Sequence, residues 1–167
     1  MTTPPIKIIL IPFDLDLKNN VHDRDVYKHA VETIKIFQKQ KHCVHPIPII
    51  YSHEFVFPFC EIFIVCHGTK STIGNDADKQ LSIKEIGILI QNIASQNIFH
   101  FYLFSCQSAF MLHEIAQHIK QEVYLYGING YIGQVKGKKH IYVSENLGGH
   151  PRWRYEDRLK TYHHCLF

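Results

Sequence analysis

Ile62-Phe63-Ile64-Val65-Cys66-His67-Gly68 is the stretch on which the reading of this chain turns. Its apolar part, Ile62 to Cys66, has no polar interruption, as expected of a strand covered on both faces. It stops abruptly at an imidazole, then at a residue with no side chain. Phe99 to Cys106 repeats the pattern, with an apolar strand over Phe99 to Phe104 followed by Ser105-Cys106. Two strands that each end in a reactive residue predict that His67 and Cys106 meet at one rim of a sheet.

The flanking segments supply the rest of that sheet. Ile6 to Phe13 reads as a first strand, and Val44 to Tyr51 as an edge strand because Pro46 and Pro48 cannot donate to a ladder. Val26, Ala30, Ile34 and Phe37 recur at helical spacing, which predicts a helix over about Asp23 to Lys41. Ser82-Ile83-Lys84-Glu85 is a capping box that starts a second helix, ending near Ser95. Ser108 is placed to cap a third, with Met111, Leu112, Ile115, Ala116 and Ile119 facing inward. Glu122 to Tyr126 follows as strand five. The alternation implies an α/β fold with a mostly parallel sheet of about five or six strands and helices on both faces. Sites in such sheets form beyond the carboxyl ends of the strands.

Composition narrows the class. At 167 residues, 46% apolar and 20% charged, the chain reads as one globular domain spanning 1–167. From about residue 127 it becomes loop-rich, since six of the nine glycines lie between Gly127 and Gly149. There, Tyr131 to Val135 and His140 to Ser144 are spaced to pair as a hairpin. Residues after Pro151 have a helix-like charge pattern. A net charge of +3 does not select nucleic acid as a partner. The five cysteines show no CxxC spacing and read as free thiols. No signal-like start precedes them, and no apolar run approaches the roughly 20 residues that span a bilayer. The expected location is the cytoplasm, or a host cytosol after delivery.

The chemistry expected of the pair follows from its residue types. A cysteine attacks carbonyl carbon as thiolate, and a helix start just after Cys106 would favour that charge. His67 suits a general acid/base. The amides of Gly68 and Cys106 suit an oxyanion hole, worth about 3 to 4 kcal/mol per donor.

An apolar strand ending His67-Gly68, a helix, then an apolar strand ending Ser105-Cys106 resembles the caspase-like (clan CD) cysteine peptidases. It looks most like the autoprocessing cysteine peptidase domains of bacterial toxins. The resemblance implies a caspase-like three-layer sandwich and a thiol endopeptidase acting on a protein or peptide, itself included, with a His67/Cys106 dyad and no required cofactor. It also implies a specificity pocket shaped by the loops after strands one, four and five, which points to Asp14, Ser105, Tyr126, Gly127 and Asn129. Toxin autoprocessing domains are switched on by an inositol polyphosphate bound beside a C-terminal hairpin. Lys136, Lys138, Lys139, Arg152 and Arg154 hold the matching position for such an anion. Arg24 is the only arginine in the first half of the chain, so no arginine set for a substrate aspartate is present there.

Three other readings stay open. A catalytically silent caspase-like or flavodoxin-like binding module would share the fold. Phe13-Asp14-Leu15-Asp16 is similar to the strand-ending aspartate pair of haloacid-dehalogenase-like phosphatases, although Leu17-Lys18 replaces the usual Gly-Thr. His42-Cys43-x-His45 and His163-His164-Cys165 lack a second ligand pair at finger spacing, so no metal ligands are assigned.

Overall fold

The computed structural model describes residues 3–133 and 139–165. β1 (Ile6–Ile11) leads to α1 (Val21–Lys39), which begins where the Asn20 side chain accepts from the His22 and Asp23 amides. The proline-bearing segment contributes less than expected. Only β2 (Ile49–Ile50) and a bridge at Val44 join the ladder, because a proline nitrogen has no hydrogen to donate. β3 (Cys60–Val65) is followed by β4 (His67–Gly68), β5 (Thr72–Gly74) and β6 (Gln80–Ser82), which form a small antiparallel sheet. Ser82 and Glu85 close the expected capping box at the start of α2 (Ile83–Ala94). β7 (His100–Phe104), α3 (Leu112–Ala116) and β8 (Val123–Ile128) follow. β9 (Tyr131–Gly133) and β10 (Tyr142–Ser144) pair antiparallel as the hairpin reading predicted, with β11 (Trp153–Arg154) added alongside.

The main sheet has six strands in the order β12-β8-β7-β3-β1-β2, where β12 is Leu159–His164. Every pairing in it is parallel except β12 with β8. The α/β class and the mostly parallel sheet expected from the alternation are therefore present. Moving from β1 to β2 and from β3 to β7 crosses the sheet in opposite directions. Right-handed crossovers then put α1 on one face and α2 with α3 on the other. On the α1 face the Phe37 ring packs edge-on to Phe63 at 5.0 Å. Ile8, Leu10, Ile62, Ile64, Phe101, Leu103 and Leu125 are all completely buried in one continuous apolar cluster with the helices. Burying each such side chain stabilises the fold by roughly 1.5–3 kcal/mol.

Two local expectations fail. After Pro151, where the charge pattern is helix-like but apolar anchors are few, the chain forms β11, one 3-10 turn (Tyr155–Arg158) and β12 instead of a helix. Six pairs with β8, from Leu159 beside Ile128 to His164 beside Val123, outweigh a charge pattern that an edge strand tolerates equally well. Ser108 does not cap a helix either. Its buried hydroxyl donates to the Leu103 carbonyl at 2.6 Å and accepts from the Ile128 amide at 2.9 Å, tying β7 to β8. A 3-10 turn (Ser108–Met111) and the five-residue α3 stand where a longer helix was expected.

Candidate active site

β3 and β7 are neighbours, with Val65 beside Phe104 in the register. Two residues further along each strand, His67 and Cys106 leave the same rim, and both line one cleft of about 860 Å³. The chains approach so closely here that a Cβ at Gly68 would lie 2.8 Å from the Cys106 carbonyl oxygen and from Ser105 Cβ and Oγ. Contacts that short essentially require glycine. After Cys106 the chain turns sharply through Gln107, whose φ of 59° lies in the left-handed region. For a residue with a Cβ this costs about 1–2 kcal/mol. A 2.8 Å hydrogen bond from the Gln107 amide to the Gly130 carbonyl helps hold it.

His67 has a partner the sequence reading missed. Its Nε2 donates to Asp25 Oδ2 at 2.6 Å, and its Nδ1 faces Asp76 Oδ2 at 3.6 Å. His29, one turn beyond Asp25 on α1, sets its Nε2 3.7 Å from the same Asp25 oxygen. The His29 and His67 rings meet edge to face with centroids 5.0 Å apart. Burial, and then the neighbouring His67, push the His29 imidazole down to about 4. A signal for this pair does exist in the sequence. Asp25, His29 and Thr33 share i,i+4 spacing on the flank of the Val26/Ala30/Ile34/Phe37 stripe, at the border of the buried face.

The loop carrying Asp76 is anchored to the start of α1. Asp23 is completely buried and accepts from the Asp16 amide at 2.7 Å, from Asn75 Nδ2 at 2.9 Å and from Lys79 Nζ. Burial alone would raise its carboxyl; these three donors more than offset it and hold it below the usual carboxylate range.

Cys106 is not the helix-activated thiolate expected from the sequence. Burial pushes its thiol up, and the Ile132 amide, donating to Sγ at 3.3 Å, offsets this only in part. With only a 3-10 turn following it, there is no long helix dipole to favour the anion. The neighbouring Cys66 is buried more deeply, and its thiol is pushed up further by desolvation.

The other expected residues scatter. Ser105 is buried beneath Gly68, and its Oγ has no hydrogen-bond partner among the described residues; the same holds for Gln107 Oε1. Asp14 is exposed outside this cleft, and its carbonyl accepts from Lys79. Because β8 runs to Ile128 rather than stopping at Tyr126, Tyr126 and Gly127 fall within the ladder instead of a loop. Tyr126 stacks on Tyr102 at 4.2 Å, its hydroxyl meeting His100 Nδ1 at 2.9 Å. Gly127 backs onto Ala109 and Ser108. Asn129 accepts from Arg158 Nε. Tyr131, Ile132, Lys70 and Gln107 line the cleft in their place.

The expected basic residues are only partly described. Lys136 and Lys138 lie outside the described residues. Lys139 borders Gln40 at the end of α1, whereas Arg152 lines a separate hollow with Glu145 and His150, and Arg154 sits in β11. His163 and Cys165 gather with Glu122 at the exposed outer edge of the sheet. Among the described residues no helix is long and apolar enough to cross a membrane. Comparison with protein-family models gives no match to this chain, and neither the curated proteins nor the solved structures give one.

Proposed function

We propose that this chain is a cysteine endopeptidase of caspase-like architecture, with Cys106 as nucleophile, His67 as acid/base and Asp25 as the carboxylate that orients His67. The observation that carries this reading is the opening of His67 and Cys106 into one cleft from adjacent parallel strands, with Asp25 hydrogen-bonded to the imidazole Nε2. As substrate binds, the Cys106 proton passes to His67 and Sγ bonds to the scissile carbonyl carbon. The oxygen, now negative, is held by the Gly68 and Cys106 amides. His67 then returns the proton to the leaving nitrogen as the C–N bond breaks. Water, deprotonated by His67, releases the second product from the thioester. Because the resting thiol is protonated, its activation accompanies substrate binding rather than preceding it.

The test is a pair of labelling experiments read by mass spectrometry. Iodoacetamide, which selects exposed thiols, marks Cys43 and Cys165 first. A peptidyl acyloxymethyl ketone, which needs the acid/base and the oxyanion donors, marks Cys106 first and fails to do so in His67→Ala. If the ketone follows the iodoacetamide order, the peptidase reading is wrong and the cleft belongs to a binding module.

A further inference from the structure

Asp25, His29 and His67 carry more nitrogen and oxygen ligands than a thiol–imidazole pair requires. One donor atom from each lies within 4.8 Å of the other two. Tetrahedral zinc bonds of about 2.0 Å set ligand atoms roughly 3.3 Å apart. The observed separations, 2.6 Å from Asp25 to His67 and 3.7 Å from Asp25 to His29, bracket that value. Shifts of about 0.7 and 0.4 Å would bring both to it. Helix α1 supplies two of the three groups at i,i+4 spacing, so their relative placement is fixed by backbone rather than by a loop. All three residues line the cleft.

A second observation points the same way. A metal-bound histidine ordinarily directs its other ring nitrogen at a carboxylate, which fixes its tautomer. With His67 Nε2 turned to Asp25, Nδ1 faces Asp76 Oδ2 at 3.6 Å. A lone acid/base needs one orienting carboxylate, and this imidazole has a second within ion-pair distance.

The geometry points to a zinc-class metal site formed by Asp25, His29 and His67, whose filling removes His67 from the thiol chemistry. Two imidazoles and one carboxylate suit Zn²⁺ and its neighbours in the first transition row, not the oxygen-seeking Mg²⁺ or Ca²⁺. On binding, the ion takes the Nε2 lone pair of His67, and the neutral ring's one hydrogen moves from Nε2 to Nδ1, which faces Asp76. The inhibitory consequence rests on the peptidase reading; the binding does not.

The experiment uses the full chain carrying Cys43→Ser and Cys165→Ser, which removes the exposed thiols and dismantles the Glu122/His163/Cys165 cluster. Titration with CoCl₂ is expected to give the strong visible absorption of low-coordinate Co²⁺ at one ion per chain, bleached by one equivalent of zinc. His29→Gln is expected to weaken binding on the order of 100-fold, a ligand counting for at least as much as an outer-shell partner. Asp25→Asn should do the same at an independent position, and thermal melts of both verify folding. A folded His29→Gln protein that binds Co²⁺ as tightly as its parent overturns the site, as does a parent that gives no such spectrum. In a parallel arm, zinc should suppress ketone labelling of Cys106 in the parent and leave it unaffected in His29→Gln. Absence of labelling in metal-free parent would refute the peptidase while the cobalt titration still decides the metal.

Discussion

Replacing Asp23 by asparagine tests how the site is held in place. The substitution keeps shape and removes charge. In the native protein three donors converge on one fully buried carboxylate: the Asp16 amide, Asn75 Nδ2 and Lys79 Nζ. A carboxamide there would present a neutral oxygen to some of them and an NH₂ group to the rest. Removing one member of a buried ion pair costs about 3–5 kcal/mol. The Lys79 side chain is 28% exposed and can turn partly to water, so the lower end, about 3 kcal/mol, is expected. For a chain of this size that lowers the melting temperature by roughly 6–12 °C. Equilibrium unfolding in urea is the suitable assay because urea does not screen charge, and Lys79→Met with the double variant completes a cycle that isolates the pair. Asp23 has a depressed carboxyl, so its stabilising contribution is present above about pH 4 and is lost as pH falls through the folded value. The Asp23→Asn protein should lack that part of the acid limb. A loss under about 1 kcal/mol, or additive single variants, would refute the claim that this carboxylate anchors the Asp76 loop.

Gly68→Ala drives a methyl into the Cys106 carbonyl and Ser105, so it should cost about 1–3 kcal/mol and abolish ketone labelling of Cys106. Wild-type stability and labelling together would contradict the close approach. Ser82→Ala removes one half of the capping box and should lower stability by about 1 kcal/mol in urea, with labelling unchanged. Burial pushes the Cys60 thiol up to about 12 and raises Cys66 and Tyr102 as well. These groups stay neutral when folded but ionise sooner when unfolded. Their stability is therefore full below about pH 8.5 and declines above it, and a urea midpoint that stays level to about pH 11 would count against their burial.

The elements legible in the sequence were those with dense local signals. The unbroken apolar runs of β3 and β7 and the Ser82/Glu85 box each carry their own evidence, and the rim shared by His67 and Cys106 followed from them. What was missed depends on pairing across the chain. Nothing near Leu159 announces that it will lie beside Ile128, so the tail showed only a helix-like charge pattern with few apolar anchors. The same ladder extended β8 and drew Tyr126 and Gly127 away from the cleft. Ser108 had the composition of a cap, but the Leu103 carbonyl and Ile128 amide took its hydroxyl. Asp25 and His29 carry no apolar signal, and polar residues on a helix are usually solvent-facing. Their position on the margin of the apolar stripe, one turn apart, was visible without coordinates.

Asp23 and Asp25 leave the same turn of α1 in different directions, one clamped to Lys79 and Asn75, the other to His67. Asn20, which caps that turn, also reaches Asp78 in the loop beyond. Unwinding a few residues at this end would release the imidazole and slacken the loop in a single event. The lifetime of a correctly aligned His67 is thus bounded by how often one helix end frays, a rate that amide exchange along residues 21–25 would report.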